Sequence, residues 1–204
     1  MDDIVKQAMA KWPNVPAVFG WLALDRRGKW LIKGDAVSSA PIADFIGRNY
    51  LHDAEGRWYF QNGPQRVYVA LNYAPFVYRV VWETEPPAPL RMQTHTDRAV
   101  TRVTGAWIDD AGVLLIDTEH GPGKVDDRDL DLLLPCFTDR HGKALTEEQA
   151  EAALEKLQSG GNARVFFTYA NSTVPFAAIA AGDIPLHFGF VRQPAPPEGA
   201  EVCN

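Results

Sequence analysis

The sequence predicts an α+β fold of largely antiparallel sheets with short helices packed on them, and three observations lead to it. A turn of the form Asp-x-x-Gly recurs at Asp25, Asp53, Asp109 and Asp139. Stretches rich in aromatic and β-branched residues flank these turns, as strands require. Helical periodicity is confined to short segments. With 204 residues and 46% hydrophobic side chains, the chain can also bury a sizeable core.

The opening "MDDIVKQAMAKW" places Val5, Ala8, Met9 and Trp12 at helical spacing, so an amphipathic helix is expected. It begins with acids and lacks the basic start and apolar centre of a secretory signal, which points to a cytoplasmic protein. In "WLALDRRGKWLI", Asp25 accepts backbone N–H bonds and Gly28 takes the left-handed conformation of a G1-bulged hairpin. That turn sets Leu24 opposite Trp30 and Leu22 opposite Ile32. The same rule at Asp109 sets Ile108 opposite Leu114 and Trp107 opposite Leu115. A short helix is expected from Pro41 to Tyr50, with Ile42, Phe45, Ile46 and Tyr50 facing inward.

The stretch "QRVYVALNYAPFVYRVVWE" reads as a hairpin about Ala74-Pro75, with Tyr73 opposite Phe76. One face then carries Val67, Val69, Leu71, Tyr73, Phe76, Tyr78, Val80 and Trp82 and is expected to be core. The other carries Tyr68, Asn72 and Arg79. Three prolines make "TEPPAPL" a connector. Farther on, Thr146 and Gln149 form a capping box, Ala150, Ala153, Leu154 and Leu157 form one stripe, and Gly160-Gly161 ends that helix.

The order of elements repeats. A hairpin, a short apolar helix, an Asp-x-x-Gly turn and a strand opening Arg-Val-aromatic occur in both halves, with a one-residue gap before the second turn and an extra helix in the second half. This order raises an internal duplication. The expected organisation is a single domain over 1–193, built of pseudo-repeats at about 16–84 and 102–191, joined by the connector 85–90 and followed by a flexible tail at 194–204.

Composition narrows the function. Twenty basic against 26 acidic residues give a net charge of −6 with no basic run, so nucleic acid is not an expected partner. No apolar run approaches the roughly 20 residues of a membrane helix. Two cysteines, Cys136 and Cys203, make neither a disulfide framework nor a zinc site, and no cofactor or metal is expected.

Two places hold candidate chemistry. The run "DTEHGPGKVDDRD" gathers Asp117, Glu119 and His120 near a glycine-rich bend, where a general base or a cation site is conceivable, although the spacing matches no known metal or phosphate motif. His95 with Asp97, and His187, read as structural residues of surface or half-buried strands, and Cys136 as a small core residue. The second place is the face bearing Tyr68, Asn72 and Arg79, near Gln61. It mixes aromatic area, amides and a cation, as ligand clefts do.

The segments "WYFQNGPQRVYVALNYAPFVYRV" and "DRRGKWLIKGD" resemble an uncharacterised proteobacterial family, a domain of unknown function. The resemblance extends over most of the chain and implies no reaction. The residues favour a binding or interaction module without catalytic activity, its partner a small molecule or a protein, with a homodimer among the options. The alternative is a hydrolase or lyase built on the His120 cluster, with or without an assisting metal.

Overall fold

In the computed structural model, residues 1–13, 15–81 and 90–197 are described, and they form two compact units. The first comprises residues 1–75 and 185 onward; the second comprises residues 76–184. The connector expected at 85–90 lies, apart from Leu90, outside the described residues, as do Trp82, Cys203 and the end of the tail.

The first unit opens with α1 (Asp3–Lys11), whose Val5 is buried, whereas Trp12 ends the helix half-exposed rather than packing inward. Strands β1 (Val18–Leu24), β2 (Trp30–Ile32) and β3 (Asp35–Ala36) follow, then α2 (Ala40–Arg48), β4 (Tyr50–His52), β5 (Trp58–Asn62) and β6 (Gln65–Leu71). The sheet order is β3-β2-β1-β6-β5-β4, antiparallel except at the central β1–β6 pair. Helix α2 therefore leads from one edge strand to the other. It stops before Tyr50, which is fully buried in β4 instead of closing the helix.

The second unit holds β7 (Phe76–Val81), β8 (Arg91–Thr94), β9 (Val103–Asp109), β10 (Leu114–Thr118) and β11 (Gly121–Val125). Two short 3₁₀ helices, Asp127–Asp129 and Asp131–Cys136, lead to β12 (Phe137–Thr138), α3 (Glu147–Gln158), β13 (Phe166–Tyr169) and β14 (Ser172–Ile179). Helix α3 starts with both halves of its expected capping box and ends at Gly160. The strand order β12-β13-β14-β9-β10-β11 repeats the first unit's, with β7 and β8 added beyond β11. The central pairs correspond in register: Leu24 lies beside Leu71, and Ile108 beside Ala178, each one residue before its turn aspartate.

All four Asp-x-x-Gly turns form as the sequence predicts. In each, the aspartate Oδ1 accepts the N–H groups two and four residues on. Each glycine has φ between +73° and +80°. The hairpin registers follow, with Leu24 opposite Trp30, Leu22 opposite Ile32, Ile108 opposite Leu114 and Trp107 opposite Leu115.

Two long-range expectations are corrected. No hairpin joins β6 to β7: β6 pairs with β1 and β5, while β7 pairs with β11 and β8 in the other sheet. Residues from Leu71 to Phe76 thus pass from the last strand of one sheet to the first of another, and Tyr73 does not face Phe76 across a ladder. The repeat is also offset by one strand. "RVFFTY" is not the counterpart of "RVYVAL", because its residues Phe166–Tyr169 form β13, which stands where β5 stands in the first unit. His187, expected on a strand, sits exposed on the short helix α4 (Ile184–Phe188).

His95 is more enclosed than a surface strand allows. Its backbone N–H donates to Val77 O at 2.7 Å, and its ring Nδ1 accepts the Val77 N–H at 3.3 Å. An accepting Nδ1 requires a neutral ring. Burial first, then the charges of Arg79 and Arg98, push its pKa down from 6.5 to about 3.

Below the ordinary histidine pKa the unfolded chain gains a proton that the folded one refuses, so stability falls as pH drops from 6.5 toward 3. His95→Gln keeps an acceptor for Val77, and in thermal melts it should flatten the loss between pH 6.5 and 5; an unchanged slope would show that His95 does not govern it. A second test separates turn strain from contact. Gly142 has open space where a Cβ would sit, but a Cβ at Gly56 would lie 2.0 Å from Gly189 O. Gly142→Ala should cost about 1–2 kcal/mol in denaturant melts and Gly56→Ala about 3 or more.

Candidate functional site

The first unit's sheet is only partly roofed. Nine helical residues span about 13 Å, while six strands span about 24 Å, so α2 cannot cover the face alone in any direction. The uncovered part is a cleft of about 460 Å³. Its floor is Val18, Leu22, Phe60 and Val67, and α2 supplies Ile42, Phe45 and Ile46 as one wall. Trp21 and Ile32 form the other side. Phe45 and Phe60 meet edge-on at 5.5 Å.

Polar groups are confined to one end, where Asn62 and Gln65 flank the tight β5–β6 turn. Gln65 Nε2 donates to Pro16 O, which orients that amide. Among the described residues no charged side chain lines the cleft. Ile42, expected to face the core, is 50% exposed at its mouth, and Ile32 is 42% exposed.

The second unit treats the matching positions differently. Ile116, which stands where Ile32 stands, is 1% exposed. Asn62 is matched across the turn register by Tyr169, which is buried. The Tyr169 hydroxyl accepts the Met92 N–H at 2.8 Å and donates to Val100 O at 3.2 Å. Met92 and Val100 thus lie against this end of the face and close it. A separate cavity of about 480 Å³ opens near α3, with Asp131, Glu147 and Glu151 among its lining.

The residues expected to bind a ligand lie elsewhere. Tyr68 and Gln61 alternate with the cleft residues Val67 and Phe60, so they point to the opposite face of the same sheet. The Tyr68 ring stacks on Phe19 at 4.4 Å, beneath the Arg57 guanidinium. Its hydroxyl donates to Asp53 Oδ2, which also accepts from Arg57 Nε at 2.8 Å. Burial raises the Asp53 carboxyl, but these hydrogen bonds outweigh it and hold its pKa below the usual range. Gln61 is buried, its Nε2 donating to Gly63 O and its Oε1 without a hydrogen-bond partner among the described residues. Asn72 is exposed, with its N–H donated to Leu24 O. Arg79 belongs to the second unit, 3.7 Å from the buried Asp126, whose carboxyl is held down at about 2, chiefly by its bonds to Arg128.

The His120 cluster is occupied by its own loop. Glu119 accepts from Thr101 N, Thr101 Oγ1 and Arg102 N, which together outweigh its burial and lower its pKa. Asp117 accepts from Thr104 Oγ1, and His120 Nε2 lies 2.8 Å from Ala99 O. Among the described residues no group of three His, Cys, Asp or Glu side chains is placed to hold a metal ion. Cys136 is buried, and burial pushes its thiol up to about 11, far from a reactive thiolate. No described helix is long and apolar enough to cross a membrane.

A crystal structure of a DUF1285 family protein from Silicibacter pomeroyi DSS-3 is similar in fold, with a TM-score of 0.54 at 13% identity over 88% of this chain and 97% of that one. A DUF1285 family protein from Shewanella baltica OS155 matches at 17% identity and a TM-score of 0.42, over 58% of this chain and 90% of that one. None of the curated proteins matches. A family model described as "Protein of unknown function (DUF2946)" matches residues 1–195, and the chain belongs to that family.

Proposed function

We propose that the protein is a small-molecule binding module and that its site is the cleft between α2 and the first unit's sheet. The observation that carries this reading is the cleft itself: about 460 Å³, apolar throughout, with amides at one end only. Ligand sites have this size and this mixture of apolar wall and few polar groups. Support also comes from the second unit, where the same sheet face is filled by Tyr169, Met92 and Val100. The first unit leaves it open at the expense of exposing Trp21, Ile32 and Ile42. A binding role suits the cleft better than hydrolysis, because its described lining presents neither a nucleophile nor a base.

Asn62→Tyr places in this cleft the residue that stands at the matching position of the second unit. The native protein should bind 1-anilinonaphthalene-8-sulfonate at one site in fluorescence titrations, and the variant should bind it at least about tenfold more weakly while melting no lower. Binding that is absent from the native protein, or indifferent to the substitution, would rule the cleft out.

A further inference from the structure

Resting on the cleft as binding site, we propose that its ligand is an anionic amphiphile, with an apolar body in the cleft and a carboxylate at the mouth held by Lys33. The pairing registers set this end of the cleft. Val18 lies beside Val67, so β1 and β6 begin together, and β2 ends at the same edge with Ile32. Lys33 follows Ile32 directly, donating its backbone N–H to Trp21 O at 2.8 Å. Its ammonium sits 3.7 Å from the centre of the Trp21 ring, which is part of the cleft wall. The ion pairs of the first unit are Lys6–Asp3, Arg48–Asp2, Arg57–Asp53 and Arg57–Glu55, so Lys33 has no carboxylate partner among the described residues. Asn62 and Gln65 also line the cleft, the Gln65 Nε2 already donating one hydrogen bond to Pro16 O.

The backbone holds Lys33 at this rim. Lys33 and Gly34 form the two-residue β2–β3 loop, with φ of 51° and 93°. Such a loop favours asparagine or glycine at its first position, because other L-residues there are strained. Ala170 takes the same conformation at the first position of the two-residue β13–β14 loop, so the strain by itself marks no site; Lys33 differs in placing a cation at the rim of an apolar cleft. Its cation and the two amides complement an anion, while the uncharged walls complement hydrocarbon.

The test is calorimetric titration with decanoate, decanol and decyltrimethylammonium, all below their aggregation thresholds. Native protein should take decanoate about five- to tenfold more tightly than the other two. Lys33→Asn, which tolerates the left-handed conformation, should erase that preference without lowering the melting temperature. Lys33→Arg should restore it. Equal binding of all three probes, or a preference that survives Lys33→Asn, overturns the anionic ligand but leaves the cleft reading standing. No binding of any probe overturns both.

Discussion

The parallel pairing of β1 with β6, and of β9 with β14, is the constraint on which each unit depends. It joins the first and last strands of a repeat, so the chain between them must be closed into a loop before the pair can form. The hairpins on either side are local and antiparallel; the central pair is not. Once it forms, both edges of the sheet are fixed, and the segment between β3 and β4 must travel from one edge to the other. Helix α2 is that segment in the first unit, and the 3₁₀ helices ending at Cys136 play the same part in the second. The face they cross becomes core because the connection lies there. The cleft is a consequence of the same geometry, since one short helix cannot roof six strands.

The second unit shows what closing this end of the face takes. It adds β7 and β8 at the β11 edge and curls far enough that Tyr169 on β13 bonds to backbone groups of Met92 and Val100. Its equivalent of Ile32 then loses nearly all contact with water. Burying a large aliphatic or aromatic side chain contributes about 1.5–3 kcal/mol, so leaving Trp21, Ile32 and Ile42 part-exposed forgoes roughly 1 kcal/mol at each. A ligand that covers them recovers that free energy, offset by its own loss of freedom on binding.

The local fold was legible in the sequence because turn chemistry is local. An aspartate and a glycine three residues apart specify the turn and, through it, the register of Leu24 with Trp30 or Ile108 with Leu114. Alternation in β6 and β7 also marked them as strands, but period-two patterning says nothing about which strand lies alongside. The aromatic run from Gln65 to Glu83 therefore reads as one hairpin, although its two strands serve different sheets. "RVFFTY" misled for the same reason: Arg-Val-aromatic suits any half-buried strand, and only pairing assigns it to β13.

The cleft was hidden by a related limit. Its apolar lining comes from β1, β2, α2, β5 and β6, and each contribution taken singly is what a core residue looks like. Val67 was expected in the core and Ile42 facing inward, and both do lie on the core side; whether something covers that side depends on the length of α2 and on the missing counterpart of β7 and β8. Polar character drew attention to Tyr68 and Gln61 instead, yet Tyr68 spends its hydroxyl on Asp53 and its ring on Phe19 and Arg57. The readable clue was a conflict. Lys33 stands where a tight two-residue hairpin calls for asparagine or glycine, next to a tryptophan that no core accounts for. Local choices that agree with the fold reveal how it is built; Lys33 shares its positive φ with Asp97 and Ala170 among the described residues, and what sets it apart is its place beside the cleft.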